Sequence, residues 1–134
     1  MTGLGPVEPL VLIVDDNERN RRLARDVLRF AGLRTIEAET GAAGIRSAGE
    51  DGPDVILMDI RLPDLDGPEA LSFLRADPRT ARIPIVAVTS SAMMGDRERL
   101  LGAGFDGYLE KPINVREFAG QVRAFARLDR SRRL

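Results

Sequence analysis

The chain has 134 residues, 43% apolar and 31% charged, which suits one soluble globular domain large enough to bury a core. Its formal net charge of −1 argues against a nucleic-acid surface, and no apolar run approaches the roughly 18 residues of a membrane span. Without Cys or His there is no disulfide, thiolate nucleophile, Cys-based metal centre, Ser-His-Asp triad or imidazole base.

Residues 1–9 are rich in Pro and Gly and are expected to be a loose tail. They carry neither a basic n-region nor a long apolar h-region, so no export signal is expected and the compartment is expected to be the cytosol. "LVLIV" at 10–14 is a continuous apolar run, as expected of a strand buried on both faces. The next segment, 18–30, has helical spacing, with Leu23, Val27, Leu28 and Phe30 expected along one face and Gly32 as the stop. "RTIEA" at 34–38 is a weaker strand candidate. "TGAAGIRSAGE" is the least convincing helix because of its glycines, although Thr40 can cap it. "DVILM" at 54–58 and "IPIVAV" at 83–88 again read as buried strands, with "GYLE" at 107–110 a weaker one. Helices are expected over 69–75, 95–103 and 115–127, the last carrying Val115, Phe118, Val122 and Phe125 at helical spacing. The end of the chain, 128–134, is basic and reads as a second tail. Strand and helix therefore alternate five times, which predicts an α/β fold with a parallel sheet, right-handed crossovers and helices on both faces.

Sites in open parallel sheets form beyond the carboxyl ends of the strands. Asp15 and Asp16 follow the first apolar run, and Asp59 follows "VILM". Thr89, Ser90 and Ser91 follow "IVAV", and Lys111, the single Lys among 20 basic residues, follows "YLE". Each has an ordinary structural alternative: Asp or Thr as a helix cap, Lys as a surface charge, Tyr108 as a half-buried sheet residue. Their joint occurrence points to a site. Three carboxylates within a few ångströms repel one another, and clustered oxygens without nitrogen or sulfur suit Mg²⁺. A hydroxyl and an ammonium beside such an edge complement a phosphoryl group, and the compact charge of Lys follows a moving oxygen better than the planar fork of Arg.

"VDDN", "ILMDIRLPDLDG", "AVTSSAM" and "GYLEKPI" together resemble the CheY-like receiver domain of two-component response regulators, over about residues 10–127. The resemblance implies a (βα)₅ flavodoxin-like sandwich with a five-stranded parallel sheet of order 2-1-3-4-5. It implies Asp59 as phosphoacceptor, with Asp15, Asp16, Asp59 and the backbone carbonyl of Arg61 as Mg²⁺ ligands. Thr89 and Lys111 would hold the phosphoryl group, and Thr89 and Tyr108 would act as the switch. Lys111–Pro112 matches a bond usually cis in the family. Arg61 and Ser91 stand at family-variable positions that tune dephosphorylation.

Residues 92–114 look most like stand-alone bacterial cell-cycle receivers and receivers of hybrid histidine kinases. A single-domain regulator is expected, phosphorylated by a histidine kinase or histidine phosphotransfer protein. It would dock a downstream protein through the fourth helix, fifth strand and fifth helix, with no nucleic-acid or membrane partner. The alternatives are a degenerate receiver acting unphosphorylated as an interaction module, or a receiver detached from a hybrid histidine kinase. "DLDG" at 64–67 resembles a haloacid-dehalogenase motif but does not directly follow a strand, so it is read as a turn. "GLG" at 3–5 lacks a preceding strand, and one Tyr with no Trp is a poor supply for a flavin site.

Overall fold

The computed structural model of the protein describes residues 8–90 and 95–128. Ser91, Met93 and Met94, together with residues 1–7 and 129–134 of the expected tails, lie outside the described residues. Five strands and five helices alternate: β1 (Leu10–Val14), α1 (Glu18–Phe30), β2 (Arg34–Ala38), α2 (Gly41–Asp51), β3 (Val55–Asp59), α3 (Gly67–Ala76), β4 (Ile85–Thr89), α4 (Asp96–Ala103), β5 (Gly107–Glu110) and α5 (Phe118–Ala126). The strands form one sheet of order β2-β1-β3-β4-β5, every pair parallel. The α/β sandwich expected from the sequence is the one observed.

Alternation along each strand divides the core in two, because successive side chains leave opposite faces of the sheet. Leu12, Val14, Ile56, Met58, Ile85 and Ala87 pack with Ala48 of α2, Leu71 and Leu74 of α3 and Leu100 of α4. Val11, Ile13, Val55, Leu57, Val86 and Val88 pack on the other face with Ala24 and Leu28 of α1 and Phe118 and Val122 of α5. Burying such a side chain fully contributes about 1.5–3 kcal/mol. Among the described residues no helix is long and apolar enough to cross a membrane.

Several local outcomes differ from the sequence expectation for identifiable reasons. On α1 the buried positions are Arg21, Ala24 and Leu28, whereas Leu23 is 44% and Phe30 96% exposed. β4 starts at Ile85 rather than residue 83, after Pro84, which has no N–H to give to a ladder. α5 starts at Phe118 because the Asn114 side chain accepts from the N–H groups of Arg116 and Glu117, holding a turn that leaves Val115 exposed. The glycines that weakened α2 on paper allow its close approach to the sheet: a Cβ on Gly44 would lie 2.8 Å from Val14 Cγ2. Thr40 caps α2 as expected, its hydroxyl accepting from Ala43 N–H, and Gly32 has φ +94° just past α1.

Candidate functional site

Because all five strands are parallel, their carboxyl ends lie along one edge of the sheet. Asp15 follows β1 and is only 5% exposed. Its N–H donates to the Ala38 carbonyl, Oδ1 accepts from Asn17 N–H at 2.8 Å, and Oδ2 accepts from Lys111 Nζ at 2.8 Å. Asp16 is exposed. It does not cap α1: that cap is Asn17, whose side chain accepts from Asn20 N–H.

Asp59 ends β3, half-buried, with Oδ1 accepting from Arg61 N–H at 3.1 Å and Oδ2 from Lys111 Nζ at 3.1 Å. One ammonium thus bridges the two carboxylates. β5 delivers it to this place, since Lys111 N–H donates to the Thr89 carbonyl at 2.9 Å and the Lys111–Pro112 bond is cis. Thr89 itself is buried at the end of β4, and Ser90 is exposed. Tyr108 lies beside Ala87 on the neighbouring strand and packs against the core on the α2, α3 and α4 face.

The charges perturb one another. Burial pushes the Asp59 carboxyl above its ordinary range, and the Asp15 carboxylate adds to this, while Arg61 N–H and Lys111 oppose it. Burial works against a charged Lys111, but its bond to Asp15 and the fields of Asp59 and Asp15 outweigh it, so Lys111 is held more firmly protonated than an ordinary Lys. Tyr108 is shifted upward by burial and by the carboxylates of Glu110 and Asp96.

Asp15, Asp16 and Asp59 each place a carboxylate oxygen within 4.8 Å of the others. This all-oxygen set fits a hard divalent cation such as Mg²⁺ and offers nothing to a softer metal. A cavity of about 60 Å³ opens beside it, lined by Asp15, Asp59 and Lys111 together with apolar residues that include Leu23, Ile113 and Phe118. Leu23, 44% exposed, is thus part of the lining of this cavity.

The loop after β3 is held by three carboxylates. Asp64 accepts from Gly41 N–H at 2.8 Å and Ala42 N–H at 2.9 Å, fastening this loop to the start of α2. Asp66 and Glu69 form a capping box at the start of α3, with Pro68 in its first turn, which accounts for "DLDG" as a turn. Sequence reasoning passed over Asp64 and Arg21. The Arg21 guanidinium is buried against Asp15, Glu37 and Glu39. Its signal was the 21, 24, 28 spacing that puts it on the buried face of α1; a cross-loop cap like Asp64 leaves no local signal.

A family model described as the response regulator receiver domain matches residues 11–123. The polar-differentiation response regulator DivK of Brucella ovis is 41% identical over 115 residues, spanning 86% of this chain and 94% of that protein. Among solved structures, the receiver domain of a sensor histidine kinase from Pseudomonas aeruginosa, with a magnesium ion coordinated in its active-site cleft, superposes with a TM-score of 0.80 at 38% identity, over 89% of this chain and 98% of that one. A CheY-like receiver domain protein from Methanospirillum hungatei gives 0.77 at 28% identity, covering 89% and 94%.

Proposed function

Because the chain belongs to the response regulator receiver domain family of two-component signalling, we propose that it accepts a phosphoryl group on Asp59 and signals through altered protein docking. The observation that carries this reading is the Lys111 ammonium bridging Asp15 and Asp59 within a three-carboxylate cluster. Asp15, Asp16, Asp59 and the backbone carbonyl of Arg61 would hold Mg²⁺, which when bound supplies positive charge against carboxylate repulsion and phosphoryl charge.

The rest of the chemistry falls to the chain itself. An Asp59 oxygen attacks phosphorus as the bond between phosphorus and the donor's leaving atom breaks, giving an acyl phosphate and the free donor. Raised toward protonation by burial, Asp59 is kept available as carboxylate by Arg61 N–H and Lys111. Lys111 exchanges its carboxylate contact for a phosphoryl oxygen, and the Thr89 hydroxyl donates to another. Thr89 and Tyr108, on adjacent strands, then carry the change to the face made by α4, β5 and α5. With no His of its own, the chain takes its phosphoryl group from a histidine kinase or phosphotransfer protein. The unit that does this is residues 10–127, with tails at 1–9 and 128–134, acting in the cytoplasm without nucleic acid or membrane.

The test is amide NMR with Mg²⁺ and beryllium trifluoride, a phosphoryl mimic. Shifts at Thr89 and Tyr108 that vanish in Asp59→Asn support the reading; unchanged shifts at both in the wild type would sink it.

A further inference from the structure

Asp15, one of the proposed metal ligands, is held in position by a residue outside the cluster. Arg21, on the buried face of α1, is 8% exposed. Its Nη1 donates to the Asp15 carbonyl at 2.9 Å, Nε to Glu37 Oε1 at 3.1 Å and Nη2 to Glu39 Oε1 at 3.2 Å. One planar fork thus joins α1, the end of β1 and the end of β2. A guanidinium is suited to this, because its donors are fixed in one plane and it stays charged when buried.

We propose that Arg21 is a positioning residue for the cation site: it fixes the Asp15 main chain so that the Asp15 and Asp16 carboxylates are set for the metal. This rests on the assignment of Asp15, Asp16 and Asp59 as Mg²⁺ ligands. The Asp15 N–H is fixed by Ala38, and Oδ1 and Oδ2 by Asn17 and Lys111; Arg21 supplies the hold on the carbonyl. Without it the buried carbonyl loses a charged donor, and a ligand orientation set by several hydrogen bonds loosens.

Two effects of Arg21 have opposite sign, which makes the proposal decidable. As a bare charge near a cation site, Arg21 weakens Mg²⁺ binding, and its removal tightens it. As a positioning group it strengthens binding, and its removal weakens it. Glu37 and Glu39 both bond to Arg21 and hold its fork against the Asp15 carbonyl, and the sign of the change in Mg²⁺ affinity tells which effect dominates.

The experiment is Mg²⁺ titration of the full chain, followed by amide shifts of residues 14–17 and 59–61, for wild type, Arg21→Met and Arg21→Lys, with urea midpoints measured alongside. The expected result is a Kd about tenfold or more weaker in Arg21→Met, in line with losses of outer-shell partners at metal sites. Arg21→Lys recovers only part of this, since an ammonium keeps the charge but cannot span three acceptors. A folded Arg21→Met that binds Mg²⁺ as tightly as wild type, or more tightly, overturns the proposal even if its urea midpoint falls. If Arg21→Met does not fold, Arg21→Lys decides: a weaker Kd supports positioning, and a wild-type Kd overturns it. A wild type that binds no Mg²⁺ overturns the ligand assignment itself.

Discussion

Replacing Gly44 by Ala tests how closely α2 lies on the sheet, and through Val14 how firmly the strand leading into Asp15 is packed. Two terms compete. Ala is favoured over Gly in a helix interior by about 1 kcal/mol. Against this, the new Cβ would lie 2.8 Å from Val14 Cγ2 and 3.0 Å from Cγ1, closer than carbon atoms tolerate, and Val14 is 1% exposed with nowhere to retreat. Overpacking of this kind costs about 1–3 kcal/mol, so the variant loses about 1 kcal/mol net. In a Val14→Ala background the clashing carbons are gone, and the same substitution stabilises by about 0.5–1 kcal/mol. The coupling between the two sites is therefore about 1–3 kcal/mol, in the range for contacting residues. The chain has no Trp, so urea unfolding is followed by far-UV circular dichroism. A loss of 1 kcal/mol moves the midpoint by roughly 0.5 M. Equal stabilisation by Gly44→Ala in both backgrounds would refute the close-approach argument.

Three further outcomes follow from the same structure. Phe118→Ala empties a fully buried position on the α1 and α5 face and lowers stability by about 3–5 kcal/mol in urea unfolding; a loss under 1 kcal/mol contradicts the packing described. Bonds from Ala42 and Gly41 N–H depress the Asp64 carboxyl, so its contribution is present above its unfolded pKa and lost as pH falls through its folded pKa. Asp64→Asn is accordingly less stable than wild type at neutral pH, with the gap narrowing in acid; a gap independent of pH rules out the carboxylate as its cause. Mg²⁺ at ten times its Kd stabilises the wild type by about 1.4 kcal/mol, seen as a higher Tm that monovalent salt does not reproduce. Asp59→Asn loses most of that gain, and an equal gain in the variant argues against Asp59 as a ligand.

The fold was legible where burial acts on both faces of a strand. β1, β3 and β4 announce themselves as apolar runs because each has helices above and below it. β2, at the sheet edge with Arg34 exposed, gives a fainter signal yet pairs in full register with β1. The helical spacing of α1 was visible, and Val27 and Leu28 pack on the core as expected, but Arg21 occupies a core-facing place that Leu23 and Phe30 do not. At the site, Asp15, Asp59, Thr89 and Lys111 were legible because parallel strands bring their ends to one edge. The contacts that hold them, Arg21 to Asp15 and Asp64 to the start of α2, join segments distant along the chain or run against residue-type expectation. Only the folded arrangement reveals them.

The most direct test of the account is intact-protein mass spectrometry after incubation with acetyl phosphate and Mg²⁺, quenched quickly, for wild type and Asp59→Asn. One phosphoryl adduct that requires Mg²⁺ and is absent from the variant is the expected result. No adduct on the wild type, or the same adduct on both proteins, would contradict it.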